Sequence, residues 1–155
     1  MACCALPGFA GPEDCPICGA RGKPVARVTL EHLLRPEKLK RLADAPYFFC
    51  ETPECDVVYY SESAEWPFYK EDLEVRVGIK EDSDPIPVCY CFNFTERQII
   101  ADVEAHGRST IAEEITANVK AGTCSCEVSN PSGRCCLGNV QKAIRKARVV
   151  AQQRR

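Results

Sequence analysis

Twelve cysteines in 155 residues, most of them in close pairs, limit what this chain can fold into more than any other feature. That density approaches the one found in disulfide scaffolds, so the compartment decides how the thiols are read. Residues 1–12, MACCALPGFAGP, hold no basic n-region and no apolar run of the roughly 7–15 residues that a signal peptide needs. No stretch elsewhere approaches a membrane span of about 20 apolar residues. A cytoplasmic, reducing setting is expected, in which close-spaced cysteines serve as metal ligands or redox groups. Residues 1–12 mix Gly, Pro and small side chains without periodicity and are expected to form a flexible tail carrying Cys3 and Cys4.

Residues 13–86 are expected to form a β-rich module. Its patterning predicts a β-rich run at 25–30, a helix at 29–42 interrupted by Pro36, and strands at Tyr47–Phe49 and Val57–Tyr60. Two more strands are expected around Phe68–Tyr69 and from the alternation of Val75, Val77 and Ile79. Cys15-Pro-Ile-Cys18-Gly19 reads as a zinc knuckle, because two thiolates three positions apart on a tight turn reach one tetrahedral ion and the glycine eases the turn. Cys50 and Cys55, at the end of one strand and the start of the next, complete C-x2-C…C-x4-C and supply four ligands for a closed structural zinc site. A thioredoxin-like redox pair at Cys15–Cys18 is the competing reading, but it wants a strand before and a long helix after, and neither is predicted. His32 reads as a helix residue and not a ligand.

The KEDSDPIP segment, rich in charge and carrying Pro85 and Pro87, reads as a linker to a second module at 87–155. Three helices are expected there. Thr95 with Gln98 and Thr110 with Glu113 fit the capping box. The first helix carries Ile99, Ile100 and Val103 and ends near His106–Gly107; the second carries Ile111, Ile115 and Val119 and stops at Gly122. The third begins just after Cys136, with Val140, Ile144 and Ala147 on one stripe. Cys89-Tyr-Cys91, Cys126 and Cys136 form a second four-cysteine set: C-x-C suits two ligands on one iron, and the Asn130-Pro-Ser-Gly133 turn folds Cys126 back toward Cys136. The start of the third helix would stabilise a thiolate and an anionic cluster. Cys₄ ligation suits [2Fe–2S], with a second zinc as the alternative. The fold class expected is thus α+β, a small β-rich zinc-binding module followed by a three-helix [2Fe–2S]-binding module.

A net charge of −2 and a pI near 5.8 argue against a general nucleic-acid binder. The charge is uneven, however: from Val128 onward there is no acidic residue, while Arg134, Lys142, Arg145, Lys146, Arg148, Arg154 and Arg155 are basic. A solvated helix face is one reading, and a docking surface for an acidic partner the other. No Ser/His/Asp set, paired-carboxylate signature or phosphate-binding glycine loop is present, so no catalytic residues are assigned and the chain is not expected to be an enzyme.

VCYCF, a helix, and then CEVSNPSGRCCLGNV resemble the bacterioferritin-associated-ferredoxin type of [2Fe–2S] domain. With CPICGARGKPV, FFCETPECDVVYYS, VRVGIKE, PIPVCYCF and NPSGRCC, nearly the whole chain from Cys15 resembles the N-terminal zinc/[2Fe–2S] domain of CopZ-type copper chaperones. In the ferredoxin-like relatives the last two ligands form C-x2-C, with the second four residues before an apolar helix position. Cys136 stands four before Val140 and fits, but Gly133 occupies the other place. That departure hands the role to Cys126 and leaves Cys124 and Cys135 as spare thiols; the choices between Cys124 and Cys126 and between Cys135 and Cys136 stay open.

The resemblance implies a redox role in copper homeostasis, in which the [2Fe–2S] cluster donates an electron to Cu(II) and the Cu(I) passes to a carrier domain and a copper-transporting ATPase. No separate carrier C-x-x-C is found in this sequence, so the carrier is expected on another polypeptide, or the chain works alone. Cys3, Cys4, Cys124 and Cys135 are candidate Cu(I) ligands, soft thiolates for a soft ion, or else thiols without metal. The alternative functions are a ferredoxin-like electron carrier for an iron-storage protein or reductase, and a structural interaction module.

Overall fold

The computed structural model describes residues 13–153; Cys3, Cys4, Arg154 and Arg155 lie outside them. Four short strands, β1 (Lys23–Val25), β2 (Tyr47–Phe49), β3 (Val57–Tyr60) and β4 (Phe68–Tyr69), pair antiparallel in that order. Every residue of β2 and β3 is buried, as continuous apolar runs covered on both faces should be. Helix α1 (Arg27–Leu33) brings Leu30 and Leu33 into one core with Val58, Tyr59 and Phe68. Pro36 disfavours helix at the residue before it, so α1 ends and α2 (Pro36–Leu39) starts afresh with Pro36 at its first position.

Two local expectations fail here. Residues 25–30 are not β-rich, because β1 ends at Val25 and the chain turns into α1 two residues later. The alternation of Val75, Val77 and Ile79 makes no strand: Val77 enters the core, and a 3-10 turn at Gly78–Lys80 follows. That turn needs a glycine, since a Cβ on Gly78 would stand 1.9 Å from the Pro87 carbonyl oxygen.

The remaining chain forms a two-stranded hairpin, β5 (Pro87–Cys89) with β6 (Phe94–Thr95), and the helices α3 (Glu96–His106), α4 (Thr110–Lys120), α5 (Cys126–Ser129) and α6 (Leu137–Gln153). Three long helices match the expected number, and α5 adds a single turn between them. Thr95 and Gln98 make the expected capping box, and α3 ends on left-handed Gly107. The second box is displaced by one residue: Ser109 caps α4 by accepting from the Ala112 amide at 3.0 Å. Thr110 instead donates to Asp102 at 2.5 Å, tying α4 to α3. Ile99, Ile115 and Val140 are fully buried in this half, each stabilising it by about 1.5–3 kcal/mol.

The two halves interlock. Thr29 in α1 donates to the Glu127 carbonyl at 2.6 Å, and the Tyr59 hydroxyl in β3 donates to the Pro131 carbonyl. The Tyr90 hydroxyl donates to the Arg76 carbonyl at 2.6 Å and accepts the Gly78 amide at 2.9 Å. In the segment read as a linker, residues 82–85 are exposed while Lys80 is buried.

Candidate metal centres

The sulfurs of Cys15, Cys18, Cys50 and Cys55 all lie within 4.8 Å of one another. Cys15 Sγ is 3.9 Å from Cys55 Sγ, and Cys18 Sγ 3.7 Å from Cys50 Sγ. A tetrahedron of sulfurs at ~2.3 Å from zinc has edges of roughly 3.8 Å, so the donor set fits that ion. Local structure explains the convergence. The Cys15 and Gly19 amides bond the Ala20 and Cys15 carbonyls at 2.8 and 2.9 Å, with Gly19 at φ +74°, and this closes the knuckle. Amides of Cys18 and Ile17 also bond the Cys15 sulfur. Cys50 follows β2 and Cys55 precedes β3, so the β2–β3 pairing brings the second two thiols under the knuckle.

The environments of these thiols differ. The Thr52 hydroxyl, 3.3 Å from the exposed Cys18 sulfur, and the Ala20 amide lower that thiol to about 6. Burial pushes Cys55 up to about 12 and Cys15 upward as well. The Lys80 side chain, only 6% exposed, donates to the Thr52 carbonyl at 2.7 Å and the Cys55 carbonyl at 2.9 Å. A zinc with four thiolates carries a net charge of about −2, and the buried ammonium stands beside it as counter-charge and as a clamp on the Cys50–Cys55 turn.

The second set is built on α5, the 130–133 turn and the hairpin. Asn130, buried, accepts the Ser132 amide at 3.1 Å and donates from its side chain to the Arg134 carbonyl at 2.9 Å. The Gly133 amide returns to the Asn130 carbonyl at 2.7 Å, and Gly133 takes φ +70°. This Asx turn brings Cys136 back over Cys126, and the Cys136 carbonyl accepts the first α6 amide bond, from Val140 at 3.0 Å. Cys91 Sγ lies 3.3 Å from Cys126 Sγ, and the Cys136 side chain interacts with those of Cys126 and Cys89. Interaction with Cys136 lowers Cys126 to about 5 and Cys89 to about 7, and Cys136 itself is pushed far up. The Ser125 amide donates to Cys91 Sγ at 3.2 Å. Backbone amides of Ser125, Phe92 and Cys136 are directed at the Cys91, Cys89 and Cys126 sulfurs, which is donor chemistry suited to a metal centre.

Cys89, Cys126 and Cys136 are buried and Cys91 is half-buried. Cys136, at the start of α6, is 1% exposed and belongs to the buried cluster that includes Ile99 and Val140. Access lies instead at Cys91, Cys124 and Cys135. Cys135 is exposed, and its side chain contributes to lowering Cys126; Cys124 is half-buried, and burial raises its thiol.

The Zinc binding domain family of the CopZ type matches residues 12–74, a span that contains Cys15, Cys18, Cys50 and Cys55. A "Copper chaperone CopZ" from Archaeoglobus fulgidus is 37% identical over 128 residues, which cover 83% of this chain and 60% of that protein. The X-ray structure of the Archaeoglobus fulgidus CopZ N-terminal domain superposes with a TM-score of 0.71 at 31% identity, covering 83% of this chain and 95% of that one. The chain belongs to the CopZ N-terminal domain family. It spans about 60% of the length of the curated CopZ that it matches. With the family match and the four-sulfur geometry together, the first centre of this CopZ-type domain is a zinc site.

Lys80, Thr52, Thr29, Tyr59 and Tyr90 escape sequence reasoning although each touches a ligand or a ligand-bearing loop. Tyr90 stands between two candidate ligands, and that position alone was a usable signal. Among the described residues no helix is long and apolar enough to cross a membrane.

Proposed function

We propose that this CopZ-type domain serves copper trafficking as a redox partner in the cytoplasm, with zinc as its structural ion and a [2Fe–2S] cluster held by Cys89, Cys91, Cys126 and Cys136. The observation that carries the reading is the gathering of these four cysteines, with Cys91 Sγ 3.3 Å from Cys126 Sγ and the Cys136 side chain interacting with Cys126 and Cys89, on a chain similar over 83% of its length to a protein named copper chaperone. Among the described residues, only the first set meets mutual 4.8 Å spacing. The wider second set favours a two-iron centre over another single ion. A cluster there supplies one-electron chemistry, enough to take Cu(II) to Cu(I). The chain's own part is to bury three of the sulfurs, to direct amide donors at them, and to leave Cys91, Cys124 and Cys135 on the approach side. Cys124 and Cys135, with Cys3 and Cys4, are the thiolates offered to Cu(I) on its way to a carrier domain or copper-transporting ATPase. This is a binding and electron-transfer role, not enzymatic turnover.

The test is metal analysis with visible and electron-paramagnetic spectra on anaerobically purified protein, expected to give about one zinc and two irons. The reduced protein, freed of reductant, is then mixed with Cu(II) and a Cu(I)-specific chelator. Reoxidation with matching Cu(I) is expected, lost in Cys91→Ser and Cys136→Ser and retained in Cys3→Ser/Cys4→Ser. Two zincs without visible absorption sink the cluster assignment. A reduced centre indifferent to Cu(II) but exchanging electrons with a reductase replaces the copper role by that of an electron carrier.

A further inference from the structure

Charge divides along this chain into two opposed blocks. Residues 128–155 hold seven of the 20 basic residues and none of the 22 acidic ones, so they carry +7 and the preceding 127 residues −9. Helix α6 gathers much of the basic block on one face. Val140, Ala143, Ile144 and Ala147 turn inward, while Lys142, Arg145, Lys146 and Arg148 are exposed. Lys146 pairs with Glu96 at 2.7 Å. Arg134, Lys142, Arg145 and Arg148 have no ion pair among the described residues.

A solvated helix is usually laced with opposite charges three or four residues apart. Here Lys142 faces Arg145 and Lys146 at those spacings, and Arg145 faces Arg148, so every such pair on the outer face repels. The helix also begins at Leu137, directly after Cys136. With a rise of 1.5 Å per residue, Lys142, Arg145 and Arg148 lie about 9, 14 and 18 Å along the axis from Cys136. A groove of about 530 Å³ runs beside this end of the helix, with Tyr90, Arg134, exposed Cys135, Lys142 and Lys146 in its walls, and Glu51 and Glu96 as its acids.

We infer that the exposed face of α6, together with Arg134, docks an acidic one-electron carrier protein that reduces the centre beside Cys136. The inference rests on the redox reading above. One electron passes, so the carrier is oxidised by one and the centre reduced by one; no bond is made or broken and no proton moves. Complementary charge raises the encounter rate and orients the partner at the helix that starts on a ligand. A compact acidic protein meets α6 alone, whereas an extended polyanion such as nucleic acid runs on into the −9 of the rest of the chain.

The experiment uses the metal-loaded full chain, with reduced flavodoxin as the acidic probe and photoreduced deazariboflavin as an uncharged donor. Stopped-flow rates and calorimetric affinities are measured from low to high ionic strength. The wild-type rate with flavodoxin should fall steeply with salt. Lys142→Glu/Arg145→Glu/Arg148→Glu should lose at least about tenfold in rate and affinity at low salt, the difference closing at high salt, while deazariboflavin reduces both proteins alike. The three Gln substitutions should fall between. Equal rates and affinities in wild type and reversal variant overturn the inference, and so does stronger salt-dependent binding of a DNA or RNA oligonucleotide than of flavodoxin. If deazariboflavin leaves the centre oxidised, the redox reading itself has failed. The affinity alone then decides the surface: lost on charge reversal it stands, retained it falls.

Discussion

Among the four zinc thiols, Cys18 is exposed and its pKa lowered to about 6, while burial raises Cys15 and Cys55. In zinc-free protein near pH 7 the Cys18 thiolate should therefore react first with iodoacetamide, with a midpoint near 6 below which the rate falls as the thiol is protonated. Thr52→Val removes the hydroxyl that contributes most to that lowering, so the midpoint should move up; mass-mapped alkylation against pH checks both statements. Lys80 acts at the same scale. Lys80→Met leaves the Thr52 and Cys55 carbonyls without their donor, at a cost of about 1–3 kcal/mol. Zinc affinity, read by competition with a chromophoric chelator, should weaken by about 10–100-fold. The four cysteines were legible from their spacing because one ion dictates their separation. Lys80 was not, because a lysine in a charged, proline-bearing stretch has every local mark of solvent exposure.

Between elements, the loop from α5 to α6 carries Cys126 and Cys136 and leans on α1 and β3. A Cβ at Gly133 would combine a left-handed backbone with a 2.9 Å approach to Thr29 Oγ1, whereas Gly122, at φ +75°, has nothing within 4 Å. Gly133→Ala should thus lower bound iron markedly, and Gly122→Ala should cost about 1 kcal/mol of backbone strain in a thermal melt with iron content kept. Equal iron in both variants would show that the loop does not depend on its seat against α1. Helix boundaries at Thr95, Gly107 and Leu137 were legible because capping and glycine stops are local chemistry. The shift from Thr110 to Ser109 was not, since Asp102 of the neighbouring helix takes the Thr110 hydroxyl for itself.

Across the whole molecule, both ligand-bearing segments of the second centre are held by the zinc-binding half: Tyr90 by Arg76 and Gly78, Glu127 by Thr29, Pro131 by Tyr59. The turn at Gly78–Lys80 is tied to the zinc loop through Lys80 and to the Cys89–Cys91 loop through Gly78. Two modules joined by a linker would let Cys50→Ser remove zinc and spare the iron. The interlocked structure leads to the opposite expectation: because a structural zinc contributes folding free energy directly, Cys50→Ser should lower zinc and iron together and broaden the melting transition. Metal analysis of the anaerobic variant decides; full iron without zinc would show the halves to be independent.

By itself the sequence determined the ligand residues of the zinc centre, the buried strands β2 and β3, and the long helices, because each is a short-range pattern of spacing, hydrophobic period or capping. It also held the charge asymmetry, which is a property of composition along the chain. Only the tertiary structure decided that Cys136 is buried, that Tyr90, Thr29 and Tyr59 seat the second set of cysteines, and that Lys80 braces the first. Those facts depend on contacts between residues 12 to 98 positions apart, where a carbonyl or a hydroxyl finds its partner by how the two halves pack, and no local pattern records which partner that is.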